Sequence, residues 1–105
     1  MTDKLLILTT AGSDSEARKI ATALVERRLA ACVNIISKIQ SIYRWKDKVE
    51  AAEEFLLVIK TAKAQQEQVQ SAIRELHSYD LPECIALAID SGSGEYLQWI
   101  VDSVS

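Results

Sequence analysis

The chain is 105 residues long, 49% apolar and 26% charged, with a net charge of −3. That length suits one domain with one hydrophobic core, and the acidic balance argues against a nucleic-acid binder that relies on phosphate contacts. No apolar run approaches the roughly 18 residues that a membrane-spanning helix requires.

Met1-Thr2-Asp3-Lys4 leads at once into an apolar strand, without the basic segment, long apolar stretch and small-residue cleavage site of a leader. A cytoplasmic protein is expected. Cys32 and Cys84 are too few for a disulfide framework, and each opens an apolar run, which suits reduced, buried thiols. Leu5-Leu6-Ile7-Leu8 reads as a short strand buried on both faces, hence central in a sheet. Thr10-Ala11-Gly12 turns the chain. Ser13-Asp14-Ser15-Glu16 fits a capping box that opens a helix. Ala17, Ile20, Ala21, Leu24 and Val25 form its apolar face, Glu16, Arg18, Lys19 and Glu26 face away, and the helix should end near Arg28.

Cys32 to Trp45 contains no Gly or Pro and is rich in strand formers: Val33, Ile35, Ile36, Ile39, Ile42, Tyr43 and Trp45. After Lys46-Asp47-Lys48 the pattern resumes from Val49 to Ile59. This predicts one long hairpin with its turn near Asp47. At about 3.3 Å per residue the first strand would span about 46 Å, whereas a compact chain of this size has a diameter of about 33 Å. The hairpin should overhang its own body. Its outer half carries Ile39, Ile42, Tyr43 and Trp45, an apolar ribbon that needs a cover. A second copy of the chain is the economical cover, so an oligomer built on these strands is expected. The competing expectation is a strand broken by a bulge near Ser37-Lys38, leaving a short hairpin.

Lys63 to Leu76 reads as a second amphipathic helix, with Val69, Ala72, Ile73 and Leu76 on one face. Ser78 to Pro82 breaks it. Cys84 to Ile89 is a fourth strand, Asp90 to Gly94 a loop, and Tyr96 to Val101 begins a short terminal helix, with Leu97, Ile100, Val101 and Val104 on one side. The order β-α-β-β-α-β is the ferredoxin-like α+β arrangement. Right-handed crossovers put both helices on one face of a four-stranded antiparallel sheet. The first and third strands should be central, and the opposite face is left bare.

The segments Leu29-Ala30-Ala31-Cys32-Val33-Asn34-Ile35, Ser41-Ile42-Tyr43-Arg44-Trp45, Val49-Glu50 with Glu53-Glu54, Ile59-Lys60-Thr61, His77-Ser78-Tyr79-Asp80-Leu81-Pro82-Glu83 and Tyr96-Leu97-Gln98-Trp99-Ile100 together resemble the CutA family, the divalent-cation tolerance proteins. The resemblance covers almost the whole chain, residues 1–105 as one domain. It implies a ferredoxin-like subunit, a homotrimer held by the long strands at Ile39, Ile42, Tyr43 and Trp45, an architecture similar to PII-type signalling proteins, and a link to copper and other divalent cations.

His77 is the only histidine and the candidate metal ligand; its bland reading is a cation at a helix C-terminus. Copper and zinc favour imidazole together with thiolate. Metal-binding relatives can offer a Cys in the first strand and a second His, where this chain has Thr9 and Leu76. Lys60, Glu50, Glu53, Glu54, Tyr79, Pro82 and Glu83 are candidates for a polar cleft between subunits, in which Lys60 would attract an anion. Their plainer reading is a solvated set of paired charges. Gly12-Ser13 is read as a cap, and no catalytic group is assigned. Three functions compete: a trimeric metal-tolerance protein without catalysis, a PII-like regulator binding a small anion at the cleft, and a scaffold for a protein partner. An RNA-binding domain of the same topology is disfavoured, because its stacking aromatics are missing from the first strand.

Overall fold

The computed structural model describes residues 1–105. Strand β1 is Lys4–Ala11, helix α1 Asp14–Glu26, strand β2 Cys32–Trp45, strand β3 Lys48–Ala62, helix α2 Gln66–Leu76, strand β4 Ile85–Ala88 and helix α3 Gly94–Val104. A 3-10 turn over Lys63–Gln65 leads into α2. The sheet order is β2-β3-β1-β4 and every pairing is antiparallel, with β1 and β3 central as expected.

Alternation along the strands sorts the sheet into two faces. Leu5 and Ile7 of β1, with Leu57 and Ile59 of β3, are buried against Ala17, Ile20, Ala21 and Leu24 of α1 and Val69, Ala72 and Ile73 of α2. The intervening residues Leu6, Leu8, Leu56 and Val58 are only half-buried. The expectation that β1 is buried on both faces is therefore corrected: one face meets helices, the other is largely open. Ala62, Ile100 and Val104 are buried apart from the main core and mark where α3 settles across one end of that open face. Elsewhere the face exposes Ile36 (49%), Ile85 (52%) and Leu87 (46%).

The helix boundaries follow local chemistry. Ser13 Oγ accepts from the Glu16 N–H, so the Ser half of the capping box forms, while the Glu16 carboxylate turns to the Ser78 N–H at 3.0 Å instead of facing solvent as expected. Arg28 ends α1 with a left-handed φ of 59°, a role glycine usually takes. Its guanidinium donates to the carbonyls of Asp102 and Ser105, tying down the end of α3. Val25, placed on the apolar face by spacing, is exposed. Helix α3 starts two residues earlier than expected because Ser93 caps it, accepting from the Tyr96 N–H.

The hairpin is as long as the sequence demands. The longest dimension of the chain is 44 Å, against 25 and 23 Å across, so the ribbon extends beyond the helix-covered body. The bulge near Ser37-Lys38 is also present: the register shifts by one residue between Ile36 and Ile39, and Lys38 adopts φ 58°. The bulge does not break the strand. It moves every residue beyond it to the other face. Without it, Ile42 and Arg44 would share a face with Ile36; with it, Ile39, Ser41, Tyr43 and Trp45 do, opposite Glu54, Ala52, Glu50 and Lys48.

The ribbon ends in a two-residue turn, Lys46-Asp47, with both φ values positive at 50° and 66°, the left-handed pair that tight hairpins favour and that non-glycine residues resist. Replacing Lys46→Asn and Asp47→Gly together should stabilise the fold by about 1 kcal/mol, read as a rise in melting temperature of about 5 °C. An unchanged or lower melting temperature would contradict the turn assignment.

Candidate functional site

The site grows from the C-terminal end of α2. His77 leaves the helix in extended conformation (φ −83°, ψ 144°), and its N–H still donates to the Ile73 carbonyl. Its imidazole is fully buried. Nε2 lies 2.6 Å from the Thr10 carbonyl, and Nδ1 accepts from the Tyr79 N–H at 3.1 Å. A carbonyl can only accept and an amide N–H can only donate, so the ring is assigned as the neutral tautomer with its proton on Nε2. The imidazole joins β1 to the loop that follows α2.

Two further contacts hold that loop. Glu16 Oε2 accepts from the Ser78 N–H at 3.0 Å, while Oε1 lies 3.9 Å from His77 Nδ1. Burial is the largest influence on the Glu16 carboxyl and pushes its pKa up. The Ser78 hydroxyl and N–H, the electrostatic influence of His77 and the Gly12 backbone together outweigh burial and hold the pKa below its ordinary value. Tyr79 packs its ring on His77 with centroids 4.5 Å apart and donates its hydroxyl to Glu54 Oε2 at 2.8 Å. Gly12 makes room for it: a β-carbon there would stand 3.0 Å from the Tyr79 hydroxyl. Burial, then the hydrogen bond and charge of Glu54, push the Tyr79 phenol up to about 12, so it stays a donor at neutral pH.

These contacts hold the loop as one wall of a cleft of about 770 Å³. The opposite wall is the ribbon: Ser41, Ile42, Tyr43 and Trp45, with Glu54 and Thr10 lining it as well. Ser78, Tyr79, Asp80, Leu81 and Glu83 complete the lining. Of the cleft residues expected from sequence, Glu54, Tyr79 and Glu83 come together here. Glu50 stays outside, exposed and cross-strand from Tyr43. Lys60 is elsewhere on the open face, paired in register with Leu6 and Cys32, its ammonium on the Asn34 side-chain carbonyl. Of the ribbon residues expected to be interface, Ile42, Tyr43 and Trp45 line the cleft and Ile39 is half-buried nearer the body. Sequence reasoning missed Ser41 as a cleft residue. The signal was its spacing from Tyr43 and Trp45, which became informative only once the bulge fixed the face.

A metal site within the chain does not fit these residues. Both nitrogens of His77 are engaged, Thr9 is a buried hydroxyl on the helix-facing side, and Leu76 has no donor. No group of three or more His, Cys, Asp or Glu side chains is placed to hold an ion. Cys84 is no better placed for thiolate chemistry, because burial and then the Glu83 charge push its thiol pKa up.

Antiparallel sheet order, a helical layer on one face and an overhanging ribbon define a small α+β protein with a cleft at the ribbon's root. The family model described as CutA1 divalent ion tolerance protein matches residues 5–103, and the chain belongs to that family. The divalent-cation tolerance protein CutA of Thermus thermophilus is 45% identical over 95 residues, covering 90% of this chain and 92% of that protein. A CutA homolog of Xenopus laevis is also 45% identical over 90% of this chain, which spans 63% of that longer relative. The crystal structure of CutA from Xylella fastidiosa superposes with a TM-score of 0.97 at 38% identity, covering 99% of this chain and all of that one.

The lowered Glu16 pKa fixes a sign. A carboxyl held down in the folded state adds stability that is present above its unfolded pKa, near 4.5, and lost as pH falls through the folded value. Glu16→Gln should therefore cost about 1 kcal/mol at neutral pH and flatten the acid limb of the stability curve below about pH 4.5. Denaturant titrations at several pH values check this; an equal loss at every pH would remove the carboxylate from the account.

Proposed function

We propose that the chain acts as a homotrimer in the tolerance of divalent cations, copper among them, and does so without catalysis. The observation that carries this reading is the open sheet face of a CutA1 family member. Ile36, Ile85 and Leu87 are about half exposed there, and the overhanging ribbon adds Ile42, Tyr43 and Trp45. Such a surface is large and apolar for a chain of this size, and burying it against two more copies removes it from water. The absence of catalysis is supported by the state of the reactive groups. The imidazole is locked as a hydrogen-bond bridge, and the Cys84 thiol and Tyr79 phenol are held protonated.

The role in metal tolerance does not run through a site inside one subunit, because no such site fits. An ion held by the assembly, or a response read out through the cleft as in PII-like regulators, remains within this reading. The loop wall, fixed by Tyr79 and Glu54, favours the regulatory form. A cytoplasmic setting belongs to the same proposal and is supported by Cys32 and Cys84, neither of which is disulfide-bonded.

Cells lacking this protein should grow less well on copper, and the wild-type chain should restore growth. A chain carrying Trp45→Asp and Ile42→Asp should lose trimerisation and fail to restore it. Restoration by a variant that sediments as a monomer would separate tolerance from assembly. His77→Ala, by contrast, should disturb folding through the loop rather than through a lost ligand: stability falls by about 2 kcal/mol, and copper affinity of whatever remains folded is unchanged.

A further inference from the structure

The His77 ring carries a hydrogen-bond pattern that only its neutral form can hold. The side chain is wholly buried. Nε2–H donates to the Thr10 carbonyl at 2.6 Å, and Nδ1 accepts from the Tyr79 N–H at 3.1 Å. Protonation puts a second N–H on the ring and turns Nδ1 from an acceptor into a donor. Two donors then face each other, and the bond to Tyr79 is lost. The Thr10 bond survives, because Nε2 donates in both states.

The protonated ring has a second partner at hand. Glu16 Oε1 stands 3.9 Å from Nδ1, outside hydrogen-bond reach but close enough for a small turn of either side chain to close the gap. The Glu16 side chain is 16% exposed and pairs with no lysine or arginine. A buried cation requires an opposite charge, and Glu16 supplies one. Burial pushes the Glu16 pKa up, but the contacts with Ser78 and Gly12 outweigh it and hold the pKa below its ordinary value. The carboxylate is therefore ionised across the range in which histidines titrate. Around the ring, β1 offers only the uncharged Thr10 carbonyl, α1 offers Glu16, and the loop offers the Tyr79 phenol, stacked with centroids 4.5 Å apart. Beyond the phenol lie Glu54 of β3, which accepts its hydroxyl, and Tyr43 of β2.

We propose that His77, Glu16 and Tyr79 form a pH-operated switch in the loop after α2. In the neutral state Nδ1 holds the Tyr79 N–H. In the protonated state Nδ1–H turns to Glu16 and the Tyr79 N–H is released. The loop's hold on β3, made through the Tyr79 hydroxyl and Glu54, then loosens. Every group belongs to one chain and a proton needs no open cleft. The switch therefore operates whether or not copies of the chain cover the ribbon.

The chain has one histidine and three tyrosines, so nitrogen-15 NMR of the full chain, labelled at both residue types, reads both ends of the switch. Tyr79→Phe assigns the Tyr79 amide by removing its peak. At about pH 8 the ring should carry its proton on Nε2 alone. Between about pH 8 and pH 5 both nitrogens should become protonated, and the Tyr79 amide should shift with the same midpoint. Glu16→Gln removes the counter-charge and should lower that midpoint by about one pH unit, a tenfold loss of proton affinity. His77→Gln is the second variant should Glu16→Gln fail to fold. Its amide donates to Thr10 and accepts from Tyr79 as the neutral ring does, so the Tyr79 amide should stay in place throughout. A proton on Nδ1 at about pH 8, a ring still neutral at about pH 5, or a Tyr79 amide that ignores ring protonation would each overturn the proposal. So would an unchanged midpoint in folded Glu16→Gln, or a Tyr79 shift that persists in His77→Gln.

Discussion

The β2–β3 ribbon runs past the end of the body it belongs to, and most of the subunit's behaviour follows from that. Strands of 14 and 15 residues cannot be covered by helices of 13 and 11, because a strand advances more than twice as far per residue as a helix. The helices bury one face of the sheet near its base, where Leu57, Ile59 and Ile7 are sealed among α1 and α2. Beyond them the ribbon is two strands with no third layer. A two-stranded ribbon alone is marginal in water, so its apolar side chains need either a partner or a ligand.

The bulge decides which side chains those are. One extra residue in β2, accommodated by Lys38 in a left-handed conformation, reverses the faces of everything from Ile39 to Trp45. Tyr43 and Trp45 thereby face the same side as Glu54, and the loop after α2 closes the other side of the space. That loop is short, carries Pro82, and is held by three hydrogen bonds to different parts of the chain: His77 to Thr10, Ser78 to Glu16 and Tyr79 to Glu54. The only histidine is thus a brace, not a free ligand. Its burial and double engagement leave neither ring nitrogen free to take an ion within the chain.

Much of the fold could be read from the residues. The capped helix at Ser13, the apolar stripe of α2, the unbroken strand formers from Cys32 to Trp45 and the break at Pro82 each rest on local chemistry, and local chemistry is what a sequence carries. Less was legible where side-chain direction depends on distant pairing. Val25 has helical spacing for the core yet ends up exposed near the end of α1, and Glu16 looked like a solvent-facing cap residue until Ser78 came within reach. By sequence Lys60, Glu50, Glu53 and Glu54 suggest a polar cleft between subunits, yet all four stand on one strand. Strand length then separates them: Lys60 pairs with Leu6 deep in the sheet, while Glu54 sits at the root of the ribbon. The sequence hinted at the bulge at Ser37-Lys38 but not at its consequence for the cleft.

The central claim is the proposal that the chain presents more apolar sheet than it can cover, and that copies of the chain cover one another. Sedimentation equilibrium of the full chain at micromolar concentration tests this most directly. The account predicts a single species with about three times the 11.7 kDa mass of the chain. A monodisperse, soluble particle of 11.7 kDa across the concentration range would contradict it.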